Sequence, residues 1–213
     1  MTHDKLLRIL PLAGVAYAAL QIAGDLTIGP FPDGDSSTPA LTRYYADHHS
    51  QVALGGTLMS WSVIFLGLFA AALACRARSA PLAAAVIAVG GGAALAHEEF
   101  SASTYSLLGS ISTNSTLDPA ALQAWHITGS EFGIAMGQVV LLLGVAVAAF
   151  SGRALPAWAG WTALVLAVLH LTPFGFLGSM LFLLWSAAAG VHLAVRRPRD
   201  ASAESREPVL QHR

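Results

Sequence analysis

A single cysteine, Cys75, in 213 residues leaves no partner for an internal disulfide. Charge is scarce as well: 11% of residues are Asp, Glu, Lys or Arg, against about a quarter in soluble domains, while 55% are hydrophobic. Such a chain cannot be clothed mostly in water. A net charge of −1 excludes the basic surface that a nucleic-acid partner demands. Lys5 is the only lysine, and the other ten basic residues are arginines. Neither a Walker loop, a GxSxG elbow, a dinucleotide fingerprint nor a haem-attachment Cys pair is present, so no cofactor is indicated. His97, His126, His170 and a carboxylate would be chemically apt for zinc, but no HxxxH or HExxH spacing puts two ligands on one helical face, and no metal site is assigned.

What the chain has in abundance is apolar runs. A helix needs about 20 residues to cross about 30 Å of hydrocarbon, and six runs approach or exceed that length: 7–28, 53–75, 82–108, 121–150, 156–172 and 174–195. No small-residue cleavage pattern follows the first, which is read as a span rather than a signal peptide. The expected fold is all-α, a bundle of six transmembrane helices over residues 1–195, with 196–213 a disordered cytoplasmic tail. Proline at positions 81, 119 and 156 suits the first turn of helices three, four and five.

Basic residues fix the threading. Lys5, Arg8, Arg76, Arg78, Arg153, Arg196, Arg197, Arg199, Arg206 and Arg213 all fall on one side of a six-span path, leaving Arg43 on the other among Asp33, Asp35, Asp47 and Asp118. Cytoplasmic loops carry the Lys/Arg excess, so both termini are expected to be cytoplasmic in a plasma-membrane, multi-pass protein. The outer segment TRYYADHHSQVAL is read as a short helix leading into helix two, its paired tyrosines suited to the headgroup level. That segment, the Leu-Ala-Gly-Val opening of helix one (Leu12 to Val15) and the short Arg-bearing hairpins CRARSAP and FSGRALP resemble small six-helix integral membrane proteins of unknown function from GC-rich bacteria. The resemblance implies the six-helix architecture and no activity.

Depth along each helix points to a site. Counted from the cytoplasmic end at about 1.5 Å per residue, Asp25, Glu98 and Glu131 lie at about 26 to 28 Å and His170 at about 21 Å. His97 flanks Glu98, and His126 is a little further out. Glu98 shares a face with Gly91, Ala94, Ser101 and Tyr105, so it should point inward; Glu99 is turned towards Ser103 and Ser106 and the outer water. Gly129, Gly133 and Gly137 form GxxxGxxxG, a pattern for close helix approach. A carboxylate in hydrocarbon must be neutral, paired or wet, and no lysine or arginine lies within the spans to pair with it. These residues are therefore expected to converge on an outward-facing polar pocket.

A carboxylic acid and imidazole set of this kind fits a membrane-embedded enzyme acting on a lipophilic small molecule. Glu98 and Glu131 would serve as acid and base, and His97, His126, His170 and Asp25 would tune or relay protons. The bland counter-reading is interhelical hydrogen-bonding glue near the surface. The alternatives from other classes are a proton-coupled small-molecule transporter and a ligand-sensing subunit. Lipid is the obligatory partner, and a homodimer is compatible with so small a bundle.

Overall fold

The computed structural model describes residues 8–30, 32, 36–111, 118–131, 136–151 and 155–195, with the side chains of 111, 119 and 129–131 excluded. Among the described residues there are seven α-helices and no strand. A 3-10 turn, Leu10–Leu12, carries Pro11 in its first positions and leads into α1, Ala13–Ile28. The others are α2, Thr38–Arg76; α3, Pro81–Ile111; α4, Pro119–Glu131; α5, Met136–Ser151; α6, Ala157–His170; and α7, Gly175–Val195. The segment 196–213 and Arg153 lie outside the described residues.

The termini of these helices follow from local chemistry. Gly29 ends α1 at φ 72, a left-handed conformation that glycine takes without a side-chain clash, while its N–H bonds the Asp25 carbonyl at 3.0 Å. Asp118 accepts the Ala120 N–H at 3.1 Å at the head of α4. Helix α2 is 39 residues long because the outer TRYYADHHS segment runs into the span as helix, broken only at His48 (φ −119, ψ 15). There the His48 ring donates from Nδ1 to the Tyr44 carbonyl at 3.0 Å, entering the i to i−4 ladder, and stacks on the Tyr44 ring at 4.7 Å. A side chain inserted into that ladder is a recognised cause of a kink.

Four stretches are long and apolar enough to cross a membrane: Leu10–Ile28, Thr38–Arg76, Pro81–Ser110 and Gly175–Val195. Two shorter apolar helices, Met136–Ser151 and Ala157–His170, accompany them. The fourth expected run, 121–150, is thus seen as two helices, α4 and α5, with 132–135 between them outside the described residues. The sixteen residues of α5 measure about 24 Å.

Neighbouring helices close a ring: α1 packs on α2 and α7, α3 on α2 and α5, and α6 on α5 and α7, with α4 laid against α3 and α2. The start of α1 and the end of α7 meet at one end of this ring, where Gly190 faces the Pro11 carbonyl. Arg76, ending α2, donates at the same end to the Leu193 carbonyl of α7 at 2.9 Å. The interior is filled by Tyr17, Leu66, Phe69, Leu142, Phe182 and Trp185. The outside is apolar as well: Leu26, Ile64, Leu82, Val89, Val165 and Leu184 are each more than 60% exposed. A surface so rich in large aliphatic side chains is stable only against lipid or another apolar partner.

Candidate functional site

Glu98 is brought to the interior by close approach of α3 and α5. A Cβ on Gly137 would collide with the Ala94 backbone, and one on Gly90 with the Leu141 backbone, so the two helices touch main chain to main chain. Small residues at such crossings let backbones approach where side chains would hold them apart. The contact sets Gln138, one residue beyond Gly137, opposite Glu98, one turn beyond Ala94. Gln138 Nε2 donates to Glu98 Oε1 at 2.5 Å. On its other side Gln138 Oε1 lies 2.8 Å from His170 Nε2.

His170 ends α6, with its ring folded back so that Nδ1 donates to the Leu166 carbonyl at 2.8 Å. The ring is 1% exposed and Gln138 2%. Room for the ring comes from α7: a Cβ at Gly178 would lie 2.9 Å from His170 Nδ1 and 3.2 Å from Cε1. Phe182 meets the ring edge-on at 6.4 Å. At the opposite end the Tyr17 hydroxyl of α1 donates to Glu98 Oε1 at 3.5 Å, a long contact. The result is a polar chain across four helices: Tyr17, Glu98, Gln138, His170, ending on the Leu166 carbonyl.

The expected convergence is only partly seen. Glu98 and His170 are joined. Asp25 on α1 is half-buried and near enough to Glu98 for a carboxylate there to act on it electrostatically. His97 is half-buried on the next face of α3. Glu99 is exposed and accepts from the Ser103 hydroxyl at 2.8 Å. The backbone of Glu131 closes α4, but its side chain lies outside what is described, as do Gly133 and the surroundings of Gly129. Among the described residues no group of three or more His, Cys, Asp or Glu side chains is placed to hold a metal ion.

His126 belongs to a different neighbourhood. Fully buried, its Nδ1 lies 3.0 Å from the Tyr45 hydroxyl, and the rings meet edge-on at 6.0 Å. Tyr45 sits in a separate apolar cluster with Ile28, Leu41, Val52, Met59, Ala102, Leu108 and Leu122. Around it, Tyr44 donates to the Ile28 carbonyl at 3.2 Å and Thr38 to Gln123 Oε1 at 2.9 Å. These bonds fasten the outer part of α2 to the end of α1 and to α4.

Reading the sequence by depth passes over two members of the polar chain. Gln138 counts as an inner-half amide on the Glu131 face, below the level of the acidic residues. The available signal is that Gln138 is the lone amide in MGQVVLLLGVAVAAF. Tyr17 counts lower still, yet the packed helices bring its hydroxyl to Glu98. Ser62 is the buried hydroxyl on α2, donating to Gln21 Oε1 at 2.8 Å, while Trp61 faces outward. No family model matches the chain, and no curated protein or solved structure matches it.

Proposed function

We propose that the chain is a multi-pass integral membrane protein of six spans with both termini cytoplasmic, and that Glu98 performs acid–base chemistry on a lipophilic small molecule. Apolar exteriors on α1, α2, α3, α6 and α7 support residence in lipid. The arginines at the ends of the spans support the orientation. The fourth span would combine α4 and α5.

One observation carries the chemical reading: Glu98 is held by an amide that is itself held by an imidazole, an arrangement that ends inside the protein. A proton pathway across a membrane must continue beyond each member. Here His170 is closed off by its own helix carbonyl, by Gly178 and by Phe182. Glu98, only partly buried, is the member open to other molecules. A titratable group oriented by a second and steadied by a third is the pattern of a catalytic acid or base. This favours chemistry at Glu98 over conduction through it.

The test works without an identified substrate. Lipid extracts from a deletion strain complemented with wild type or with Glu98→Gln, at matched membrane levels, are compared by untargeted mass spectrometry. At least one lipophilic species should differ in abundance between the two. Indistinguishable extracts from wild type, Glu98→Gln and the deletion would remove the enzymatic reading. Proton-driven uptake into proteoliposomes that vanishes in Glu98→Gln would replace it with transport.

A further inference from the structure

We infer that Gln138 ties the protonation of Glu98 to that of His170: Glu98 is ionised only when His170 is protonated. The coupling follows from the donors and acceptors along the chain. A carbonyl only accepts, so the bond to Leu166 fixes a proton on His170 Nδ1. The other ring nitrogen, Nε2, therefore donates if the ring is an imidazolium and accepts if the ring is neutral. Between this nitrogen and Glu98 stands one amide, with a single oxygen and a single NH2 group, one aimed at each neighbour.

With its oxygen towards His170, Gln138 requires a donor at Nε2, hence an imidazolium, and its NH2 group donates to Glu98, which accepts as a carboxylate. Turned by half a rotation, the amide donates to Nε2 of a neutral ring, and its oxygen now requires a donor on Glu98, hence a carboxylic acid. The two arrangements hold the same number of protons: the one lost from Nε2 is the one gained by Glu98. A carboxylate with a neutral ring fits neither way round. One orientation sets the amide oxygen against the Nε2 lone pair, the other against the carboxylate. Buried polar groups facing each other without a hydrogen cost about 1 to 3 kcal/mol, enough to depopulate that state by about one to two powers of ten.

Among the described residues the surrounding groups leave this count intact. Tyr17 donates to Glu98 in either state, and Asp25 acts on Glu98 through charge. On the His170 side α7 presents Gly178 and Phe182, neither of which titrates. Gln138 is thus a positioning residue: Glu98 can give up its proton only while His170 holds one at Nε2, and a neutral ring turns the amide and keeps Glu98 as the acid. Its use in turnover rests on the acid–base reading of Glu98, but the coupling itself is a property of the resting protein. The two ideas therefore fail separately.

The experiment is solid-state NMR of the full chain in lipid bilayers, with 13C-labelled glutamate and 15N-labelled histidine assigned through their contacts with Gln138, from about pH 5 to 9. In wild type, the fraction of neutral His170 should never exceed the fraction of protonated Glu98. In Gln138→Met, which keeps the length and removes both bonds, neutral His170 beside ionised Glu98 should appear, with two titration midpoints in place of one. A wild-type spectrum dominated by ionised Glu98 with neutral His170 at any pH in the range overturns the inference. So does a Gln138→Met protein whose groups stay coupled. If Gln138→Met does not fold, the wild-type fractions alone decide.

Discussion

Two buried imidazoles, His170 and His126, sit in the same small protein and are put to different uses by their neighbours. His170 is bonded through Gln138 to a carboxyl group, so its ring shares in a proton that can change place. His126 is bonded to a tyrosine hydroxyl within an apolar cluster, so its ring acts as a fastener between α2 and α4. Burial of a titratable group is therefore not by itself a sign of chemistry. The second partner decides: carboxyl and imidazole joined through an amide can trade a proton, whereas the phenol–imidazole pair of Tyr45 and His126 joins α2 to α4.

The contrast can be broken experimentally in graded ways. Glu98→Gln should have the largest effect, removing about two to four powers of ten of the lipid conversion, the usual yield of a general acid or base. Conversion assays on matched membranes would show it. Next comes Gly137→Val, which forces side-chain volume against the Ala94 backbone and should destabilise the fold by about 1 to 3 kcal/mol or more. A lowered thermal midpoint in detergent is the readout, with loss of conversion following from separation of Gln138 and Glu98. Tyr45→Phe removes the hydroxyl that meets the buried His126 Nδ1 and should cost about 1 to 3 kcal/mol, with conversion unchanged. A loss of conversion without a loss of stability in Tyr45→Phe would erase the distinction between the two histidines. Smallest of all is Glu99→Gln, exposed on α3, expected within about 0.5 kcal/mol of wild type in stability.

Much of this arrangement can be read in the residues alone, and the limits of that reading have physical causes. Apolar runs give helices because backbone groups away from water must bond within the helix, and α1, α3, α6 and α7 follow the runs closely, while α2 begins at Thr38, well before its run. Glu98 facing inward and Glu99 facing outward follow from the turn of about 100° per residue. Counting depth ranks Gln138 below the level of the acidic residues, and so leaves it out of their set. It also cannot tell which polar residues at one level touch. His126 and His170 are assigned to one pocket by such a reading, yet Gly137, Gly90 and Gly178 draw one helix set together around His170 and leave His126 to a different set. Glycine contacts decide the pairing, and their partners are invisible until the helices are packed.

The central claim is that Glu98 and His170, which do not touch each other directly, act as one unit through Gln138. A double-mutant cycle with Glu98→Gln and His170→Asn, read as thermal unfolding in lipid nanodiscs and repeated in the Gln138→Met background, tests it most directly. A coupling of about 0.5 to 3 kcal/mol is expected with Gln138 present, and additivity once it is replaced. Effects that add within about 0.5 kcal/mol in the wild-type background would contradict it.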